Sequence, residues 1–515
     1  MQIFTQKSDV MNKKTLGIVL SYLLIIIDIA VGILFVPFLL HALGDEEYGT
    51  YKLMLSTASY LSVLDFGIGG TITRYVIKFR TEKNQKSEEN FLAMGFLIYA
   101  ILAAVVLALA TSVTFLIPKL YAQSISAENM AYAKYIFMLI CTNTAVMLFN
   151  HAFNGLLLAY EKYSYQKITN IVKVLLRIAL LVVLITFVKS AFVVAVVDLA
   201  LSVLLLVVNF IYCRFGLKTR IKLHRWDWSL AKESGVFTLA ILMQSIINQF
   251  NSNVDNIVLG IYVSATVVAM YSLVLQLYNM YCSLSTAVSS IYLPSISKAV
   301  FSGESDDAVT ERIIKPSRIQ LAILLLALTG FVLFGEAFIA VWVGEAYMQV
   351  YSLCLILLTS ATVELSQNTI TAILKAKNKL HGKTLILGVS TLVNVVLTVL
   401  LVPHFGAYGA VIGTAFSMVF GYGVALNVYY HFAIGVNMKT YYKKTYRGIL
   451  PAALIACAVG IPISIFISLG GWLGFALKAA VYIAVYVVFI YLVGFNSEER
   501  EIVKKLFGKI TKRRV

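Results

Sequence analysis

Charged side chains are scarce in this chain. Asp, Glu, Lys and Arg make up 13% of its 515 residues, against roughly 25% in an ordinary soluble domain, and 60% are hydrophobic. With a mean hydropathy of +0.85, the composition excludes a water-soluble globule and implies an integral membrane protein. Cysteine is sparse as well. Cys141, Cys213, Cys282, Cys354 and Cys457 fall in or beside apolar runs and show no CxxC or other ligand spacing, so they are expected to be small core residues. The six histidines are scattered and form no HExxH, so neither a metal nor a cofactor is expected. No small-x-small cleavage site ends the apolar run that follows Lys13 and Lys14, and this run is expected to stay as a helix.

What is plentiful is unbroken apolar sequence. Fourteen runs lie near 15–40, 51–79, 91–117, 132–160, 168–188, 190–213, 234–260, 267–293, 317–340, 350–374, 384–402, 408–432, 448–469 and 472–494. Each is long enough to cross about 30 Å of hydrocarbon at 1.5 Å per residue. Backbone polar groups in lipid must be satisfied within the segment, and barrel strands would be about half as long. The expected fold is therefore all-α and polytopic, with about fourteen transmembrane helices.

The formal charge of +17 is arranged by side of the membrane. With the N-terminus inside, 36 of the 42 Lys and Arg residues fall in cytoplasmic segments or helix ends, among them the four from Lys375 to Lys383. Lys52, Lys119, Lys134, Lys189 and Lys478 fall outside. The imbalance predicts cytoplasmic termini. It also accounts for the basic surplus through topology and anionic head groups, so no nucleic-acid partner is expected. Trp226 and Trp228 fall at the inner interface and Trp342 and Trp472 at the outer one, as aromatic belts do.

A repeat displaced by 217 to 220 residues aligns NGLLLAYEKYSYQKITNIVKVLLRIALLVVL, from Asn154, with TAILKAKNKLHGKTLILGVSTLVNVVLTVLL, from Thr371. Likewise, YKLML at Tyr51 aligns with YSLVL at Tyr271. The expected organisation is an N-terminal six-helix lobe (1–225), a C-terminal six-helix lobe (226–437), and two peripheral helices with a basic cytoplasmic tail (438–515). An even number of helices per repeat makes the lobes parallel repeats, which suits alternating access.

Helical spacing gathers the polar residues into stripes. In the seventh run Gln244, Asn248, Asn251 and Asp255 are separated by 4, 3 and 4 residues and share a face, with Ser245, Gln249, Ser252 and Asn256 beside it. The eighth run offers Asn279, Ser283, Thr286 and Ser290, the tenth Ser360, Glu364, Gln367 and Thr371, and the fourth Asn143, Asn150 and Asn154. Isolated Ser, Thr and Asn can join helices by hydrogen bonds of about 0.6 kcal/mol each. Eight polar side chains within thirteen residues exceed what dry contact satisfies, so the seventh helix is expected to border water. Asp28, Asp65, Asp198, Asp255, Glu364 and Arg74 would each cost about 2.5–3.5 kcal/mol in lipid, so they must face protein or water. Asp28, Asp65, Asp255 and Glu364 are candidates for coupling to a proton or sodium gradient.

Two stripes are cationic: Asn170, Lys173 and Arg177 near the inner end of the fifth helix, and Arg74 with Lys78 on the second. Snorkelling to inner head groups accounts for such residues. A phosphate clamp accounts for them equally, since arginine's planar fork suits phosphate. Within LDFGIGGTITRYVIKF, Asp65 and Arg74 are nine residues apart and half a turn out of phase, so they pair only if the helix bends. Gly67, Gly69 and Gly70 allow such a hinge, and they equally allow close packing.

LGDEEYGTYKLMLSTASYLSVLDFGIGGTITRYVIKF, from Leu43, resembles the second-helix signature of polysaccharide flippases in the multidrug/oligosaccharidyl-lipid/polysaccharide exporter superfamily, LGxxxYGxY followed by LDxGxxxxxxRY. VDNIVLGIYVSATVVAMYSLVLQL, from Val254, is similar to their seventh-to-eighth helix motif. ILKAKNKLHGKTLILGVSTLVNVVLTVLLVPHFGAYGAVIGTAFS, from Ile373, resembles their tenth-to-twelfth helices with the FGAxGA turn. The resemblance runs from about residue 15 to 430. It implies two six-helix bundles around a cavity, in the inner membrane of a bacterium. It also implies an undecaprenyl-diphosphate-linked oligosaccharide substrate moved from inner to outer leaflet.

Arg74 and Asp255 are the charged positions the resemblance carries over. Arg74, Lys173 and Arg177 are then candidates for the diphosphate, and Asn154, Gln244, Asn248, Asn251 and Asn279 for the sugar. Expected partners are the lipid-linked oligosaccharide, membrane lipids and polysaccharide polymerase machinery. One departure is that the C-terminal half shows no membrane-embedded arginine. An alternative is a cation-coupled multidrug exporter of the same superfamily, with Asp65, Asp255 and Glu364 binding cationic drugs, against which the basic stripes stand. A glycosyltransferase or polymerase needs a large outward loop or a catalytic acidic motif. The connection around Pro118 to Ala131 is too short for one, so no enzyme is expected.

Overall fold

The computed structural model describes residues 23, 24, 27, 29–466 and 470–501, with the side chains of 229–241 set aside. Among the described residues there are helices and no β-strand, the all-α polytopic fold that the apolar runs require. Eleven helices are long and apolar enough to cross a membrane, and a bent pair, Ile29–Leu43 with Asp45–Thr81, gives up to twelve spans. Among the described residues the expected count of fourteen is not confirmed. The first run is described continuously only from residue 29, and the seventh forms the helix Trp228–Tyr262, which carries the polar stripe and is not among the eleven.

The chain forms two compact units, divided after Ser272 except that Val402–Gly406 belongs with the first. The first unit begins with α1 (Ile29–Leu43) and α2 (Asp45–Ser59), followed by a 3-10 turn over Tyr60–Asp65 and α3 (Ile68–Thr81). It continues through α4 (Gln85–Leu120), α5 (Ala127–Ala159), α6 (Tyr163–Phe187), α7 (Ala191–Ile211) and α8 (Trp228–Tyr262) into α9 (Ala265–Phe301). Asn84, Ser126 and Ser190 start α4, α5 and α7 by accepting backbone N–H groups with their side chains. The core joins Ile72, Tyr75 and Val76 of α3 to Leu92, Tyr99 and Val106 of α4 and to Leu148, Phe153 and Leu156 of α5.

The second span is not one helix. Phe66 and Gly67 adopt left-handed backbone at φ 51° and 67°, which ends the 3-10 turn and re-aims the chain into α3. Glycine bears that conformation without strain, whereas Phe66 does not. Of the three glycines expected as a hinge, only Gly67 sits in the break. Gly70 closes the first turn of α3, its N–H donating to the Gly67 carbonyl at 3.1 Å. Gly69 serves close packing: a Cβ on Gly155 of α5 would overlap the Gly69 carbonyl, and Thr73 Oγ1 donates to the Gly155 carbonyl at 2.9 Å.

The second unit holds the rest of α9, then α10 (Asp306–Trp342), α11 (Gln349–Ser366), α12 (Ile370–Ala376), α13 (Leu380–Phe405) and α14 (Ala407–Ser417). A wider π-type stretch over Met418–Ala425 leads into α15 (Leu426–Phe432), followed by α16 (Met438–Tyr446), α17 (Ile449–Phe466) and α18 (Gly471–Phe489). The helices α17 and α18 share a buried cluster with α10, in which Ile449, Ala452, Ala456, Tyr482 and Tyr486 meet Leu321, Leu325 and Phe334.

Candidate functional site

Helices α6 and α7 form a hairpin turning at 188–190, across which Arg177 meets Asp198 and Lys173 meets Ser202. Arg177 faces Asp198 with Nε 2.5 Å from Oδ1 and Nη2 3.0 Å from Oδ2, a two-pronged ion pair in which both side chains are about one-quarter exposed. One turn farther from the hairpin turn, Lys173 Nζ donates to Ser202 Oγ at 3.1 Å. Tyr51 of α2 donates its hydroxyl to Asp198 Oδ2 at 3.4 Å. Beside it Lys52 lies over the Tyr48 ring and within electrostatic reach of Arg177 and Asp198. Lys173 lies in reach of the same pair. Three cations thus converge on one carboxylate.

Lys52, which the sequence places among the outward lysines, is the member of this cluster that sequence reasoning missed. Arg74 stands apart from it on an exposed position of α3, its guanidinium 5.9 Å from the Tyr75 ring centre. Lys78 lies over the same ring at 5.9 Å.

The hairpin of α13 and α14 in the second unit has the matching contacts without charge. The 217-residue displacement maps Lys173 onto Ser390 and Arg177 onto Asn394. Ser390 Oγ lies 2.7 Å from Ser417 Oγ, and Thr414 Oγ1 donates to Asn394 Oδ1 at 3.2 Å. Ser390 and Asn394 thus make neutral contacts where Lys173 and Arg177 make charged ones.

At the break in the second span, Asp65 does not pair with Arg74. Tyr99 of α4 donates its hydroxyl to Asp65 Oδ1 at 2.7 Å, and His151 Nδ1 of α5 lies 3.2 Å from Oδ2. His151 follows Asn150 in the polar row of α5, which was the available signal. Asn150 itself is buried, donating to the Ser202 carbonyl at 3.0 Å and accepting from Asn209 at 3.3 Å.

The polar face of α8 divides. Toward its C-terminal end the face packs against protein: Asp255 is buried and accepts the Tyr271 hydroxyl at 2.6 Å, and Asn256 donates to Ser56 of α2 at 2.9 Å. Gln249 donates to Ser62 at 2.8 Å. Toward the N-terminal end Gln244 donates to Asn248 at 3.1 Å, with Asn248 exposed and Asn251 half-buried. Asn154 of α5 is half-buried and Asn279 of α9 is exposed. Asp28 lies outside the described residues.

In the second unit Glu364, half-buried on α11, has Lys383 of α13 within electrostatic reach. Lys383 Nζ also donates to Thr371 Oγ1 at 3.2 Å. The sequence counted Lys383 with the cytoplasmic lysines and did not bring it together with the acid.

The sequence and the fold are similar to those of known proteins. The family model for polysaccharide biosynthesis proteins matches residues 15–301, more than half of the chain. The chain belongs to the polysaccharide biosynthesis protein family. The resemblance to polysaccharide flippases read from the motifs is met at this level. Over 505 residues this polysaccharide biosynthesis protein is 23% identical to EpsK of Bacillus subtilis (strain 168), an uncharacterized membrane protein, covering 94% of this chain and 96% of that one. It is 30% identical over 172 residues to AglR of Haloferax volcanii, a probable flippase, covering 32% of this chain and 35% of AglR. Among solved structures, the lipid II flippase MurJ in an inward closed conformation shares the fold. Its TM-score is 0.72 at 16% identity, over 92% of this chain and 98% of MurJ.

Proposed function

We propose that this protein is a flippase that moves an undecaprenyl-diphosphate-linked oligosaccharide from the inner to the outer leaflet of a bacterial inner membrane. Translocation proceeds by alternating access of the two repeats, with both termini in the cytoplasm, and delivers the glycan to polysaccharide polymerase machinery. The family match, the probable flippase among the relatives and the MurJ-like fold support this reading. The observation that carries it furthest is the cluster of Lys52, Lys173 and Arg177 around Asp198, whose formal charge is +2. A diphosphate esterified at both ends carries one negative charge on each phosphate, so cluster and head group balance.

Arg74, on the exposed side of α3, is a first contact for the head group before it reaches Lys173 and Arg177. The amides of Asn154, Gln244, Asn248, Asn251 and Asn279 supply donors and acceptors for sugar hydroxyls. The acids Asp28, Asp65, Asp255 and Glu364 link the cycle to a proton or sodium gradient. A cation-binding multidrug exporter would need an acidic cluster where this chain presents a basic one.

The test is genetic and chemical together. Deleting the gene should cause a lipid-linked glycan to accumulate on the inner leaflet. Wild-type protein should restore export and a Lys173→Ala/Arg177→Ala variant present at normal levels should not. Full export by that variant would remove the cluster from the substrate path.

A further inference from the structure

The Arg177–Asp198 pair has a geometry that goes beyond neutralising a buried base. A carboxylate offers a guanidinium two oxygens on one fork, and a phosphate offers the same fork. Asp198 already fills it, at 2.5 and 3.0 Å. Arg177 therefore cannot offer its Nε–Nη2 edge to a phosphate while it holds Asp198. We infer that Asp198 is a built-in stand-in for the substrate's diphosphate: it occupies Arg177 between cycles, yields it to the incoming head group and reclaims it on release. The inference rests on the diphosphate reading of the cluster and adds a positioning residue to it.

Three observations support the exchange. First, a displaced Asp198 is not stranded, because the Tyr51 hydroxyl already points at Oδ2 from 3.4 Å and can close on it. Lys173, one turn along α6, lies in electrostatic reach of the same carboxylate and is held by two neutral partners, the Ser202 hydroxyl and the Met147 sulfur. Second, emptying the site without Asp198 would leave three cations facing one another in a partly dehydrated hairpin, and an uncompensated buried charge is costly. An internal carboxylate removes that cost in every unloaded state, so release does not depend on the next substrate arriving. Third, the acid is present only where cations need it. In the second unit the position of Arg177 is held by Asn394, which contacts Thr414 with no charge on either side.

The consequence is a trade of affinity against turnover. With Asp198 competing, the diphosphate binds more weakly than three cations would permit and leaves faster. The full chain in nanodiscs is to be titrated with farnesyl-diphosphate-N-acetylglucosamine, a short-chain diphosphate diester, and its transport measured in proteoliposomes. Asp198→Asn is expected to bind the probe about tenfold more tightly and to transport it several-fold more slowly, while Asp198→Glu returns both toward wild type. A purely structural role would lower affinity and transport together.

Unchanged or weaker binding by Asp198→Asn, with Arg177→Ala still weakening it, overturns the stand-in and leaves the diphosphate site intact. Equal binding by wild type and Arg177→Ala overturns both. Should Asp198→Asn fail to fold, Tyr51→Phe decides. Loss of the waiting hydroxyl is expected to weaken the probe about threefold with no change in melting temperature, and no effect on binding sinks the inference.

Discussion

Arg318 grips Glu499 through two parallel hydrogen bonds, Nε to Oε1 at 2.7 Å and Nη2 to Oε2 at 2.9 Å, with the two side chains only 6% and 8% exposed. The remaining donors of Arg318 reach the carbonyls of Lys444 and Arg447 at 2.8 Å and of Gly494 at 2.6 Å. One guanidinium thus ties α10 to the turn between α16 and α17 and to the segment after α18. Removing it would strand a buried carboxylate and several carbonyls. Arg318→Ala should cost about 3–5 kcal/mol of stability, and Arg318→Lys should recover only part of it. Thermal unfolding of the purified protein in detergent would check this; a melting temperature within a degree of wild type would refute it.

Backbone contact between α3 and α5 depends on the absence of a side chain at Gly155. A methyl group there would overlap the Gly69 carbonyl and push Thr73 from its hydrogen bond. Gly155→Ala should therefore destabilise the first unit by about 1–3 kcal/mol. Gly303→Ala is the control for a glycine with open space around it, although its φ of 73° adds its own strain. Comparable losses in the two variants would show that packing is not the cause at Gly155.

Asp65 holds the broken second span to α4 and α5 through Tyr99 and His151. Tyr99→Phe leaves the carboxylate one donor short at a half-buried position and should cost about 0.5–1.5 kcal/mol. The loss should largely vanish in an Asp65→Ala background, because the partner is then already gone. Additive losses in the double variant would mean that Tyr99 acts through packing instead.

Glu364 and Lys383 should behave as one unit. Glu364→Ala and Lys383→Ala should each destabilise the second unit, and the double variant should fall short of their sum by about 0.5–3 kcal/mol. A melting-temperature cycle measures the coupling directly. Strict additivity would leave Lys383 as an ordinary interfacial lysine.

Hydropathy made the spans legible because lipid imposes one rule on every residue of a helix. Partner choice follows a different rule, set by which helices touch, and the sequence was correspondingly mute about it. The Arg177–Asp198 and Lys173–Ser202 rungs were available all the same. The two pairs share one antiparallel register across the turn at 188–190, and folding the fifth run against the sixth would have joined them. His151 and Tyr99 were not reachable that way, since their meeting with Asp65 depends on how α3, α4 and α5 converge at the 3-10 break. The polar stripe of α8 was seen correctly as a stripe. Toward its C-terminal end it packs against protein because Ser56, Ser62 and Tyr271 supply donors and acceptors from neighbouring segments.

The mirror pairing of the α6–α7 hairpin constrains a part of the chain that makes none of these contacts. Adding or deleting one residue inside α7 between Ala191 and Asp198 would rotate Asp198 and Ser202 by about 100° relative to the start of the helix. Both rungs would then be lost in a single step. The residue count of the first two turns of α7 is thus fixed by chemistry farther along the helix, and variants there would damage the basic centre without altering any residue in it.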